Sequence, residues 1–494
     1  MYDILIKNGR ILDGTGSPEL RADIAVKDGK IVKISRGIAG EAARVIDASG
    51  RIVSPGFIDS HSHADGTVRQ FPEQLEKIEQ GITTSIGGQC GSSPMPTAAF
   101  LDEMRGVPTG ANLTTYVGHC SLRSHVMGGA DRAPTTEEME RMKQILREGL
   151  EHGAMGVSFG LIYLPGLFAK TDELIELAKV AAEYNALVSA HIRNESDNLL
   201  AAVDEFIKII RESGARGIIS HHKSTGRENW GKVAESLRMI DAANAEGLEI
   251  YCDVYPYIAS HTSLTPTFVP KQYQDGGFSK VLERLADPAC RAEMKAKLLE
   301  KRNGDYSYIL VVRCPAYPEY EGKRIDEIAA MHGKDQIETA FDLMLHSKNG
   351  CGACFFTMRE EDVETVLAHP RAMICTDSGV AGNNRMYHPR LRGTFPRVLG
   401  HYVRERGVTS LPEMIRKMTA MPAAVYGLQS KGILRAGMDA DICIFDPDTI
   451  IDRAEYADPS KHAEGLDYVI VGGKIAVENA YAIGELGGHV LLRE

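Results

Sequence analysis

His61 and His63 close a short apolar run, Pro55-Gly-Phe-Ile-Asp-Ser-His-Ser-His-Ala-Asp65. In an extended strand residues i and i+2 share a face, so the two imidazoles can offer nitrogens to one cation. A pair of this kind also suits a purely structural polar face, and what else gathers near it decides between the two. Further apolar runs end in residues of the same chemical type: Gly87-Gly-Gln-Cys90-Gly, His191, His221-His222 and Asp377. Thiolate and imidazole are soft donors that suit Zn2+, whereas Mg2+ or Ca2+ calls for an oxygen-rich set. The chemistry of such a set is metal-assisted hydrolysis. The cation polarises a carbonyl and draws the pKa of water toward neutrality, and Asp377 would take the water's proton and pass it to the leaving group.

These residues need a scaffold that brings strand ends together. Eight apolar runs alternate with helical patterns: Ile52 to Asp59, Thr83 to Ile86, Asn112 to Val117, Ala154 to Ser158, Leu187 to His191, Gly217 to His221, Leu248 to Asp253 and Ala372 to Asp377. Thr135 to His152 and Asp172 to Asn185 carry charged residues on one helical face and Leu, Ile and Ala on the other. The alternation predicts an α/β fold, a (β/α)8 TIM-like barrel, in which working residues sit at the C-terminal strand ends. Outside it, short strands meet turn signals at Asn8-Gly9, Asp13-Gly14 and Asp28-Gly29, and the same texture returns at Asp441 to Phe445 and Tyr468 to Val477. The expected organisation is a small β-sandwich domain from residues 1–55 and 426–494, with the barrel over 56–425. The long gap between the seventh and eighth runs exceeds an ordinary connection and predicts a lid insertion at about 260–345.

Composition narrows the function classes. A net charge of −11 over 494 residues lacks the positive field that nucleic acid requires. With 43% hydrophobic residues and no apolar run of bilayer length, neither a membrane span nor a membrane partner is expected. Met1-Tyr-Asp-Ile-Leu-Ile-Lys-Asn-Gly-Arg alternates like a strand rather than a signal peptide, which predicts a cytoplasmic protein. Nine scattered cysteines do not form a disulfide framework, and the lone Cys351-Gly-Ala-Cys354 reads as ordinary packing.

Taken as an ordered set, the motifs resemble those of the amidohydrolase superfamily and, within it, the N-acyl-D-amino-acid deacylases. They are Gly56-Phe-Ile-Asp-Ser-His-Ser-His63, Gln89-Cys-Gly91, Gly160-Leu-Ile-Tyr-Leu-Pro-Gly166, His191-Ile-Arg-Asn-Glu195, Ile219-Ser-His-His-Lys223, Asp253-Val-Tyr-Pro-Tyr257, Thr376-Asp-Ser-Gly379 and His388-Pro-Arg390. The segment from Lys431 to Asp441 looks like the superfamily's return to its β domain. The resemblance implies His61 and His63 at one metal position and Cys90, His191 and His221 at another, holding one or two Zn2+ ions. It also implies a carboxylate clamp of Lys223 and Arg390, with Tyr163 and a tyrosine of the pair Tyr255 and Tyr257 as hydrogen-bond donors. The fourth run, Gly153 to Gly160, has no lysine to bridge two metals, a departure that favours linear-amide deacylases over hydantoinases and dihydroorotases. The expected activity is zinc-dependent hydrolysis of N-acyl-D-amino acids, small substrates with a free carboxylate. Other amidase reactions, on cyclic amides, dipeptides or amide toxins, stand as alternatives, as does a non-catalytic scaffold of the same fold. His119 and His125 read as structural, and His222 as a support rather than a ligand.

Overall fold

Strands Phe57–Asp59, Ile82–Gly87, Asn112–Thr115 with Val117–Gly118, Gly156–Gly160, Leu187–His191, Arg216–Ile219, Ile250–Val254 and Ala372–Ile374 pair in parallel, in chain order. In the computed structural model, which describes residues 1–301, 304–380 and 388–493, they form the eight staves of a barrel. The third stave breaks at Tyr116, where the bonds Tyr116 N to Gly87 O (3.1 Å) and Met155 N to Thr115 O (3.0 Å) carry the pairing across. Ser60 N donates to Ile374 O (3.3 Å) and Ser62 bridges Ser378, joining the eighth stave to the first. Gly156–Gly160 and Leu187–His191 are buried along their whole length, as expected of parallel strands covered on both faces.

The covering helices follow from pattern and caps. Thr135 and Glu138 form a reciprocal capping box that starts Thr136–Glu151, and that helix buries Met142, Ile145, Leu146 and Leu150. Leu199–Ser213 stops at Gly214, whose φ of 71° suits the left-handed end of a helix.

Both chain ends join one nine-stranded sheet among the described residues, because Ile442–Phe445 runs antiparallel to Ile52–Pro55. Its apolar face packs Ile4, Ile6, Ile24, Val26, Val53, Ile442, Ile444 and Ile470. The run expected as a single barrel strand, Ile52 to Asp59, therefore divides. Gly56 N donates to Asp441 O (2.8 Å), while Phe57 N already donates to Gly81 O (2.9 Å). A Cβ at Gly56 would lie 2.2 Å from Thr83 Oγ1, so only glycine lets the chain cross there.

Between the seventh and eighth staves, Ala259–Ser263, Gly352–Phe356 and Ile309–Arg313 build a small antiparallel sheet. With its helices it encloses a separate core around Phe268, Leu285, Met294, Tyr306 and Phe341. Thr262 Oγ1 donates to Tyr163 OH (3.2 Å), tying this insertion to the loop after the fourth stave. Among the described residues, no helix is long and apolar enough to cross a membrane.

Candidate active site

Each chemically distinctive side chain stands at or just beyond the C-terminal end of a stave, and they meet around one sulfur. Cys90 Sγ lies 3.3 Å from His61 Nε2, 3.3 Å from His221 Nε2 and 3.7 Å from His191 Nδ1. On the other side, His63 Nε2 is 3.1 Å and His61 Nε2 3.5 Å from Asp377 Oδ1. Two overlapping donor groups result, one of His61, His63, Cys90 and Asp377, the other of Cys90, His191 and His221. Cys90 belongs to both, and Asp377 joins the first as a further oxygen donor.

Three of these residues hold backbone conformations that side chains avoid. Cys90, His221 and Asp377 have φ of 53°, 37° and 47°, in the left-handed region. Each costs about 1–3 kcal/mol, and such strain persists where the surroundings over-determine a side chain's direction. Aiming from the stave ends into one point is the evident reason here.

The donor chemistry fits zinc. One thiol proton can be given to only one of the three nitrogens that face Cys90, while a cation among them satisfies all four atoms. Sulfur and nitrogen at ordinary zinc bond lengths stand about 3.5 Å apart around a tetrahedral ion, close to the spacings of this group. Burial pulls His191 well below its ordinary pKa and lowers His221, so both imidazoles keep a free lone pair. Burial likewise pushes the Cys90 thiol well up, with Asp377 adding to it. A cation reverses that sign by favouring the thiolate.

Charged neighbours complete the site. Burial would raise the Asp377 carboxyl, but Arg390 and then the histidines outweigh it and hold it well below the usual carboxylate range. Arg390 Nη1 donates to Asp377 Oδ2 (2.7 Å), and its guanidinium lies over the Tyr255 ring (4.8 Å). Lys223 Nζ approaches the same ring (5.4 Å), donates to Glu195 Oε1 (2.7 Å) and stands 2.7 Å from His221 Nδ1. Lys223 and Arg390 thus both approach the Tyr255 ring.

Two cavities reach this centre. One of about 970 Å³ touches His63, Cys90 and Arg390; another of about 650 Å³ touches His191, His221, Lys223 and Tyr255. Tyr163, His261, Thr262 and Asp377 line both. Of the pair Tyr255 and Tyr257, the first lines the smaller of these cavities and the second lines neither, its ring lying under the Arg397 guanidinium (5.1 Å). Tyr257 also packs edge-on against His388 (5.1 Å).

The amidohydrolase family model matches residues 44–477. The chain belongs to the amidohydrolase family. It is 34% identical to the D-aminoacylase of Alcaligenes xylosoxydans xylosoxydans, over 100% of this chain and 98% of the relative. The N-acyl-D-glutamate deacylase of the same organism is 36% identical over 95% and 93% of the two chains. Among solved structures, the N-acyl-D-glutamate deacylase of Bordetella bronchiseptica, complexed with zinc and a phosphonate that mimics the tetrahedral intermediate, superposes with a TM-score of 0.87 at 35% identity over all of both chains. A D-aminoacylase structure gives 0.86 at 33% identity, again over all of both chains.

In this amidohydrolase, Glu195 and Asp253 are site residues that the sequence analysis quoted inside motifs without assigning a part. Glu195 Oε1 lies 3.1 Å from His221 Nδ1, and its other oxygen 3.7 Å from His191 Nε2. Asp253 Oδ1 accepts from His221 N (2.5 Å) and lies 3.7 Å from His61 Nδ1. Carboxylates in these places orient imidazoles and raise their basicity. Their position at or beside strand ends was the available signal. His222 bonds Ser236 Oγ (2.7 Å) and His119 bonds Glu173 (2.9 Å), both away from the centre, whereas His125 lines the larger cavity. Cys351 Sγ pairs with Cys314 (3.4 Å) inside the insertion's core rather than with Cys354.

Proposed function

We propose that this amidohydrolase hydrolyses the amide bond of N-acyl-D-amino acids in a zinc-dependent reaction, releasing a carboxylate and a free D-amino acid. The observation that carries the reading is the soft donor group Cys90, His191 and His221 beside Asp377, which pairs with the buried Arg390, while the buried Lys223 pairs with Glu195 next to His221. Full-length similarity to deacylases of D-amino acids supplies the substrate's handedness. The absence of lysine from the fourth stave, Gly156–Gly160, speaks against the cyclic-amide branch.

Cys90, His191 and His221 would hold one zinc, and His61, His63 and Asp377 face a second position, so one or two ions fit. When bound, zinc supplies a Lewis acid that polarises the amide carbonyl and acidifies water. Asp377, kept ionised by Arg390, accepts the proton of the attacking water and returns it to the leaving amine nitrogen. Lys223 and Arg390 receive the α-carboxylate, and Tyr255, whose ring both cations approach, donates from its hydroxyl. That hydroxyl is buried and has no hydrogen-bond partner among the described residues. Tyr163 donates from the opposite wall. The insertion at about 260–345, with His261 and Thr262 on both cavities, acts as the lid over the 56–425 barrel, and residues 1–55 and 426–494 form the supporting β domain. All nine cysteines are free, which suits a reducing cytoplasm. The net charge of −11 gives no reason to invoke nucleic acid. Turnover of a panel of N-acetyl D- and L-amino acids, with zinc analysis of the same sample, tests the assignment: L-selective or zinc-free turnover would remove it.

A further inference from the structure

Lys77 is the least expected charge in the protein. It sits on the short helix Leu75–Ile78, after the first stave, and is fully buried with no exposed side-chain surface. An ammonium has three protons, and each finds an acceptor here: Asp59 Oδ2 (2.9 Å), Thr376 Oγ1 (2.7 Å) and Ser378 O (2.8 Å). Asp59 in turn accepts from Thr376 N (2.8 Å) and Thr376 Oγ1 (2.6 Å). The residues on either side of Asp377 are thus bonded to one lysine. Asp377 itself is held at φ 47°, with its N–H on His61 O (2.9 Å). Ser378 O also accepts from His63 N (3.0 Å) and Ser62 Oγ (3.1 Å). The same network therefore fixes the loop of Asp377 against the segment of His61 and His63.

We propose that Lys77 is a positioning residue, which pins Thr376 and Ser378 so that Asp377 keeps the left-handed conformation directing its carboxylate at the histidines. A buried ion pair often adds no more stability than apolar packing of the same volume, so what Lys77 contributes here is the geometry it enforces on Thr376 and Ser378. Lys77 lines neither cavity of the centre, and its effect passes through Asp377. This inference rests on the reading of Asp377 as the proton-transfer group.

The test compares the zinc-loaded full chain with Lys77→Met, Asp377→Asn and the double variant. Lys77→Met should lower kcat about 100-fold, the usual cost of misplacing a reacting group by an ångström, with KM within about 3-fold and the zinc at Cys90, His191 and His221 retained. In the Asp377→Asn background the same substitution should cost less than about 3-fold, because a positioning residue has nothing left to position. Should Lys77→Met fail to fold, Lys77→Met with Asp59→Asn, which leaves neither charge unpaired, is measured instead with the same expectations. A kcat within about 3-fold of the parent, or an equal loss in both backgrounds, overturns the proposal. A crystal structure of the variant that folds gives a reading independent of turnover: Asp377 should leave the left-handed region, and an unmoved Asp377 contradicts the role. Full activity of Asp377→Asn would instead sink the proton-transfer reading, with the crystal structure still deciding the place of Lys77.

Discussion

Arg390 Nη1 stands 2.7 Å from Asp377 Oδ2, so a cation assigned to the substrate carboxylate is already paired with the carboxylate assigned to move the proton. A substrate that draws Arg390 toward itself weakens its hold on Asp377. The base would then become more basic when substrate is present.

The first prediction removes that cation. Burial raises the Asp377 carboxyl and Arg390 is the largest influence opposing it. A base works when ionised, so the rate rises as pH climbs through its pKa. In Arg390→Met the rising limb of kcat/KM should move to higher pH by about 1 unit or more, with KM increased as the clamp loses a partner. A pH–rate profile measures both, and an unmoved limb would show that Arg390 does not set the state of Asp377.

Cys90→Ala removes the one donor that both groups share. Loss of a ligand from a small set leaves the ion poorly held, so zinc content should fall to a minor fraction after dialysis, and activity with it. Full zinc with ordinary turnover would take Cys90 out of the centre.

Asp377→Asn keeps shape but cannot accept a proton. The expected loss is in kcat, roughly 10²-fold to 10⁴-fold, with the zinc at Cys90, His191 and His221 retained. Survival of kcat within a few-fold would assign the base elsewhere.

Stability away from the centre rests partly on Asp441, which accepts from Lys431 Nζ (2.7 Å), Gly472 N (2.7 Å) and Asn112 Nδ2 (3.0 Å) and so joins the end sheet to the third stave. Asp441→Ala leaves Lys431 with Asp439 alone (3.0 Å) and takes the acceptor from Gly472 N and Asn112 Nδ2, which should cost about 1–3 kcal/mol, read by denaturant unfolding. A loss below about 1 kcal/mol would show that water replaces the carboxylate.

Periodicity and strand ends carried most of what could be read in advance. Leu187–His191 was legible residue for residue, because a run buried on both faces and closed by a histidine has few other readings. The division of Ile52 to Asp59 at Gly56 was not, since the change of partner is made by Asp441 and Gly81, both distant in sequence. The left-handed backbone of Cys90 carries no residue signature, and the enrichment of Asp and His in that region is too small to single out Asp377 and His221 among the many of their kind. Lys77 was invisible for a related reason: a lysine in a helix is ordinarily a solvated charge, and its partners lie 18 and about 300 positions away.

The measurement closest to the central claim is kcat/KM for matched N-acetyl-D-amino acids, their L-forms and their methyl esters with the zinc-loaded protein. Esterification removes the charge that Lys223 and Arg390 receive, and inversion moves the side chain from its pocket into the barrel wall. At least one D-form should be hydrolysed about 100-fold faster than both its L-form and its ester, a difference of roughly 2.7 kcal/mol. Equal turnover of L-forms or esters would contradict it and leave a broader amidase.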